Sequence, residues 1–211
     1  MNNSKTQCTR CGTCCEKGGP ALHGKDIGLV LEKQILPENL FTIRTGELVY
    51  DNVKGCLCAT DSEIIKIRSA SEQSACIYYD CAGKGCTIYE ARPIECQVMT
   101  CWDTTAARAF YNVDRLDRAS VFGQVGWIME LIQAHEEKCG YKKLEKLCSL
   151  RQTGDLKAAE DIEEALRYDA EIRRVVKEKT EIARMLDFVF GRPLEKTLPA
   201  QFGIRLKTSG Q

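Results

Sequence analysis

Histidine is nearly missing from this 211-residue sequence, with two copies, and charge of one sign is not in excess: 30 basic side chains balance 30 acidic ones. A membrane-crossing helix needs roughly 18 or more consecutive apolar residues, and no stretch approaches that, in keeping with a mean hydropathy of −0.29. A chain of zero formal charge also lacks the basic excess with which a sequence-independent nucleic-acid binder displaces counterions. The expectation is therefore no membrane insertion and no nucleic-acid partner. Two histidines far apart, with nothing resembling a Ser-His-Asp arrangement, leave little for general-base catalysis. The opening MNNSKTQCTR has no apolar core of the kind a secretory signal carries, which points to the cytoplasm. What these absences leave is an ordinary globular chain of one or two domains.

Cysteine is the outlier, with 13 copies: Cys8, Cys11, Cys14, Cys15, Cys56, Cys58, Cys76, Cys81, Cys86, Cys96, Cys101, Cys139 and Cys148. An odd number cannot pair completely. In a reducing compartment, clustered thiols more often hold metal than form disulfides, so the cysteines read first as ligands.

Eleven of them fall within the first 101 residues, which places a boundary near residue 112. The expected fold class is α+β: a small, irregular, cysteine-rich metal-binding region with short strands over residues 1–112, followed by an α-helical region over residues 113–211. In the first region, Ile27, Val30, Leu31 and Ile35 predict a helix between Asp26 and Pro37. Residues 41–51 alternate around Thr45-Gly46 and predict a hairpin, while EIIKIR (63–68) and CIYYD (76–80) predict short strands. In the second region, Val121, Val125, Ile128 and Ile132 predict one helix over about 114–138, stopped by Gly140. A further helix is expected over 141–152. One long helix or two shorter ones follow, ending before Gly191-Arg192-Pro193, and the tail from Gly203 is expected to be mobile.

The sharpest motif is CTRCGTCC, in which Cys8, Cys11 and Cys14 are spaced by two residues and Cys15 is adjacent. That spacing lets a chain fold back so that successive sulfurs face one centre, and Gly12 supplies the freedom for the turn. The first three cysteines match the start of a bacterial ferredoxin run, whose continuation, a fourth cysteine followed by proline, is missing. Neighbouring side chains of an extended backbone point to opposite sides, which directs Cys15 toward a second site.

Five more cysteines, Cys76, Cys81, Cys86, Cys96 and Cys101, lie within CIYYDCAGKGCTIYEARPIECQVMTCW. Separations of nine or ten residues between Cys76, Cys86 and Cys96 imply ligands brought from different elements. Pro93 suits the start of a helix, which would put Cys96 in a first turn whose dipole favours a thiolate. Arg92 is a candidate to hydrogen-bond cluster sulfurs or to offset their charge.

Other residues have blander readings. Cys139 and Cys148 read as buried thiols acting as small apolar groups, and the Cys56-x-Cys58 pair as ligands or spare thiols. His23 and His135 read as polar turn or surface residues, and Trp102 and Trp127 as core anchors. Asp80, Glu90, Glu95 and Asp103 read as surface groups or helix caps. The segment GPALHGKD nears a phosphate-binding loop, but Asp26 replaces the hydroxyl residue and Pro20 removes a backbone donor, so nucleotide binding is not expected.

The combination of CTRCGTCC, ACIYYD, CTIYEARPIEC and TCWD resembles the CxxCxxCC family, described as a zinc- or iron-chelating domain, with related segments in flagellin lysine N-methylases. The resemblance covers residues 8 to 103. It implies eight metal-binding cysteines, Cys8, Cys11, Cys14, Cys15, Cys76, Cys86, Cys96 and Cys101, with Cys56, Cys58 and Cys81 additional to the pattern. All-sulfur ligation suits zinc or an iron–sulfur cluster. The ferredoxin-like trio, the scarcity of histidine and the likeness to methylases favour one or two [4Fe–4S] clusters, with zinc the alternative. The expected function is electron transfer or cluster-dependent chemistry with a protein partner. The alternatives are a zinc-stapled interaction module without redox activity and, on the resemblance alone, a methyl-transfer enzyme.

Overall fold

The structure, a computed structural model, describes Cys8 and residues 10–70 and 74–204. The fold is α+β, with short antiparallel strand pairs in the cysteine-rich N-terminal part and helices after it. Among the described residues no helix is long and apolar enough to cross a membrane.

A single-turn helix α1 (Ile27–Leu31) and strands β1 (Leu40–Ile43), β2 (Leu48–Asp51), β3 (Cys56–Ala59) and β4 (Ile64–Ile67) open the fold. The helix expected up to Pro37 is shorter than its apolar pattern suggests, because Lys33 takes a positive φ of 58° and ends it. The expected hairpin around Thr45-Gly46 does not form. β1 pairs with β4, Leu40 opposite Ile67, and β2 pairs with β3, Leu48 opposite Ala59. The cause is a second reversal in the sequence. Asp51 Oδ1 accepts from the backbone N–H groups of Val53 (2.8 Å) and Lys54 (2.9 Å), and Gly55 takes φ 71°, so the chain turns back beside β2 before β1 can claim it.

Strands β5 (Tyr79–Asp80) and β6 (Gly85–Cys86) form a minimal pair, shorter than CIYYD predicts. Helices α2 (Ile94–Val98), α3 (Thr105–Phe110), α4 (Arg118–Phe122), α5 (Gly126–Cys139), α6 (Tyr141–Gln152), α7 (Leu156–Lys179), α8 (Leu186–Phe190) and α9 (Leu194–Phe202) follow. The helix expected over 114–138 is two: Asp117 caps the first by accepting from Ser120 N–H (2.7 Å), and the two glycines at 123 and 126 weaken helix continuation. That break lets Phe122, Ile128 and Ile132 all reach one core.

The main core takes Leu22, Leu40, Ile65 and Ile67 from the first part and Phe122, Ile132, Val176 and Phe188 from the second. Helix α8 is its plug: Phe188, Val189 and Phe190 are fully buried in succession, and Thr42 Oγ1 donates to Phe188 carbonyl at 2.6 Å. A second core joins α5, α6, α7 and α9 through Cys139, Leu144, Cys148, Ile162 and Leu198.

Buried ions cross between the two parts. Glu136 on α5 accepts from Arg118 Nη2 (2.7 Å) and lies 3.5 Å from Arg44 Nη1, while Arg118 also pairs with Glu63 and donates to Val189 carbonyl (2.6 Å). Along α7 the buried stripe of Ala158, Ile162, Ala165 and Val176 includes Asp169 and Arg173, which pair at 2.9 Å. The tail beyond residue 204 lies outside the described residues.

Candidate metal centre

The motif loop closes on itself. Gly12 takes φ 80°, and a Cβ there would overlap the ring of Tyr79 on β5, so glycine lets the loop lie against the β5–β6 pair. Cys14 is helical (φ −73°, ψ −36°) and Cys15 begins a 3-10 turn, Cys15–Lys17. The backbone is therefore not extended at this pair, and the two sulfurs lie 3.9 Å apart rather than on opposite sides of the chain.

Three segments meet beside this pair. Cys76 N–H donates to Cys15 carbonyl (2.8 Å), which ties the 76–86 segment to the loop. The β5–β6 register sets Cys86 opposite Tyr79. Pro93 caps α2 as the sequence predicts, and Cys96 is its third residue. Asp26 holds the entry to this helix, its carboxylate accepting from Ile94 N–H (2.8 Å) and His23 N–H (2.9 Å).

Cys15 lies within electrostatic reach of Cys14, Cys86 and Cys76, and Cys96 within reach of Cys14, Cys76 and Cys15. Burial pushes the Cys15 thiol up to about 12, and the neighbouring Cys14, Cys86 and Cys76 add to it. Cys76 is raised by burial and then by Cys86 and Cys14. Cys96 is raised furthest, by burial and then by Cys14, Cys76 and Cys15. The expected thiolate-favouring effect of the α2 N-terminus is thus outweighed: a five-residue helix has little dipole to set against burial and several like charges.

Cys8, Cys11 and Cys101 are exposed. Cys8 Sγ accepts from Arg10 N–H at 3.4 Å, and Cys11 Sγ lies 3.3 Å from Thr13 Oγ1, both contacts within the loop. Among the described residues, no three His, Cys, Asp or Glu side chains close on one point in an arrangement that could hold a metal ion. The five thiols are gathered rather than drawn up. As a donor set they fit a soft, sulfur-preferring centre, since no histidine or carboxylate competes at the Cys14–Cys15 pair.

The Arg92 guanidinium stacks on the Tyr89 ring, 4.0 Å from its centroid, and Arg10 of the motif loop lies over the same ring at 3.8 Å. Lys66 on β4 was not singled out from the sequence. Burial lowers its pKa, and Glu95, Cys96 and Cys76 act in the opposite direction, so its ammonium sits within reach of two of the thiols. The signal was present: a lysine interrupting the apolar run of IIKI.

Both histidines are buried, against the expectation of turn or surface residues. His23 Nδ1 donates to Val113 carbonyl (2.6 Å), and its Nε2 lies 3.8 Å from Glu95 Oε1. His135 Nε2 donates to Asp169 (2.7 Å). Each ring packs on a phenylalanine, Phe110 or Phe190, which removes it from water. Glu95 is more than a surface group, since it accepts from Ala21 N–H at 2.6 Å. Asp80 and Asp103 are turn acceptors for Ala82 and Thr105 N–H, and Glu90 is exposed. The tryptophans are not core anchors: Trp102 is 39% and Trp127 47% exposed, because phenylalanines of α4 and α8 fill the core instead. Cys139 and Cys148 are buried as expected, and Cys81 is exposed. A cleft of about 520 Å³ between Asp61, Glu63, Arg115 and Arg118 has no cysteine in its lining.

A family model described as a "putative zinc- or iron-chelating domain", CxxCxxCC, matches residues 7–149. Neither the curated proteins nor the solved structures include a significant match. The matched span contains the motif loop, the Cys76–Cys86 segment and α2, the three pieces that bring the five thiols together. By that match over more than half its length, this cysteine-rich chain belongs to the CxxCxxCC family of zinc- or iron-chelating proteins.

Proposed function

We propose that the protein carries a [4Fe–4S] cluster on cysteines of its first hundred residues and exchanges electrons, or supports cluster-dependent chemistry, with a protein partner in the cytoplasm. The carrying observation is that Cys14 and Cys15, with sulfurs 3.9 Å apart, are joined by Cys76, Cys86 and Cys96 from two further segments, so that the Cys15, Cys76 and Cys96 thiols are each raised by others of the group. Packing uncompensated thiols together is unfavourable once they ionise, and a bound cationic centre reverses the sign of that effect. Cys8, Cys11 and Cys101 complete the set of eight that the family pattern implies. All three are exposed, which suits a centre at the protein surface. Arg10, Arg92 and Lys66 would offset the negative charge that four thiolates leave on a dicationic cluster. When bound, such a cluster supplies one-electron redox chemistry.

Anaerobically purified protein should be coloured, with a visible charge-transfer band and with iron and acid-labile sulfide in equal amounts. Colourless protein without iron or sulfide would overturn this reading. Separate Cys11→Ser and Cys96→Ser variants then count the centres: partial loss in each means two, complete loss in both means one.

Zinc as a structural staple is favoured by a different observation. The thiol-bearing segments consist of two-residue strands and single-turn helices, which have little hydrogen-bonded structure of their own. A structural zinc contributes an apparent ~10–16 kcal/mol to folding. On this reading, chelation unfolds the first part of a colourless protein.

A further inference from the structure

The structure contains a second thiol pair, outside the eight-cysteine pattern, with a geometry of its own. Cys56 and Cys58 occupy β3, where residues two apart share a face. The register sets Asp51 opposite Cys56 and Val49 opposite Cys58, so Asp51, Cys56 and Cys58 share one face of the hairpin, while Tyr50 and Leu57 form the pair on the other. Cys58 Sγ lies 3.9 Å from Asp51 Oδ2. Cys56 is exposed and Cys58 half-buried.

Asp51 is already committed. Its Oδ1 accepts two backbone N–H groups, Lys54 Nζ lies 3.7 Å from Oδ2, and Tyr111 hydrogen-bonds the carboxylate. Two sulfurs are therefore the donors left on this face. A direct disulfide between them fits poorly: i and i+2 in a strand stand about 6.6 Å apart with parallel Cβ directions, whereas a disulfide holds its Cβ atoms at about 3.5–4.5 Å. A bridging atom fits better, since two metal–sulfur bonds of about 2.3 Å in line span about 4.6 Å. Tetrahedral zinc asks for four ligands, which this face does not offer. A soft monovalent cation accepts two thiolates.

We propose that Cys56 and Cys58 form a solvent-facing two-sulfur site for a thiophilic monovalent cation of the Cu(I) class, separate from the centre at Cys14 and Cys96. Binding replaces two S–H protons with two metal–sulfur bonds: one cation and two neutral thiols give an anionic dithiolate complex and two released protons, with no change of oxidation state. The Lys54 ammonium, paired with Asp51, offsets the added negative charge.

The test uses the full chain, reduced and anaerobic, titrated with Cu(I) against bicinchoninate as a coloured competing chelator. Wild-type protein should hold one more Cu(I) per chain than the Cys56→Ser/Cys58→Ser double variant, and each single variant should lose at least tenfold in affinity for that equivalent. Iron or zinc content should be the same in all. Equal Cu(I) uptake by wild type and double variant overturns the proposal. So does loss of iron or zinc from the double variant, because the pair would then belong to the other centre. In wild type alone, one equivalent of Cu(I) should protect Cys56 and Cys58 from iodoacetamide, read by peptide mass spectrometry, and unchanged alkylation also overturns it. A protein free of iron and zinc would refute the cluster reading while leaving the one-equivalent difference intact.

Discussion

Replacing Glu136 by glutamine keeps the side chain's shape and deletes the charge that joins two buried arginines. Arg118 retains Glu63 and Val189 carbonyl, but Arg44 retains little: its Nη1 donates to Cys139 carbonyl (3.1 Å), its guanidinium stands 4.6 Å from the Tyr141 ring centroid, and its Nε and Nη2 have no hydrogen-bond partner. Burial opposes the Arg44 charge, and Glu136, Tyr141 and Glu47 together more than restore it, Glu136 contributing most of the three. Removing one partner of a buried pair costs about 3–5 kcal/mol. The Glu136 side chain is 32% exposed, and Glu47 also lies near Arg44, so water and a second carboxylate reduce that to about 2–3 kcal/mol. With a urea m-value of about 2–3 kcal/mol/M for a chain of this size, the midpoint should fall by about 1 M. The assay is urea unfolding followed by circular dichroism on metal-loaded protein. A midpoint change under about 0.3 M would show that Arg44 needs no carboxylate. As a counter-test, Arg44→Met with Glu136→Gln should recover most of the loss, since an apolar replacement of a buried pair is often neutral.

Phe188→Ala should cost about 3–5 kcal/mol, because the ring is fully buried in α8 against Phe122 at 4.8 Å, and should lower Tm by roughly 6–20 °C in a thermal scan. Asp26→Ala leaves His23 N–H and Ile94 N–H without their acceptor, at about 1–3 kcal/mol each. Because α2 carries Cys96, metal content after dialysis should fall as well as the unfolding midpoint. Acid stability should depend on His135, whose pKa is held below 6.5 by burial, with the Arg44 charge adding to that and Asp169 opposing it. The unfolded chain takes up this proton as pH falls below about 6.5 while the folded chain does not, so stability drops with acid in that window. His23 is shifted the other way, because Glu95 and the Val113 carbonyl together outweigh its burial, and the readout is therefore the difference between wild type and His135→Leu. Urea midpoints from pH 7.5 to 5 should fall more steeply for wild type, and parallel profiles would refute the assignment. Asp169 is depressed, with burial outweighed by His135, Arg173 and the Leu194 N–H together, so its own contribution is present above about pH 4 and is lost in stronger acid.

Local chemistry was legible in the sequence wherever neighbours along the chain decide the outcome. Gly140 and Gly154 bracket α6 at the predicted residues, Pro93 starts α2, and Cys139 and Cys148 face a core. The two-residue cysteine spacing marked a metal loop, and the family match supports zinc- or iron-chelation over that span. Where the outcome depends on distant groups, the pattern misled. The sequence predicts helix over this stretch but not that Asp169 and Arg173 lie on the buried side of α7, satisfied by His135 on α5 and by Phe190 and Gly191 carbonyls. Alternation around Gly46 promised a hairpin that the Asp51 turn redirected.

By itself the sequence determined the inventory: which thiols exist, how closely they are strung, and where helices such as α2 and α6 begin or end, because spacing and capping act over a few residues. Only the tertiary structure decided which thiols meet. The Cys15 carbonyl bond to Cys76, the Tyr79 ring over Gly12 and the Asp26 grip on α2 join residues more than 60 positions apart. No local periodicity encodes such contacts, because chain closure over that distance is driven by burial of the shared apolar core.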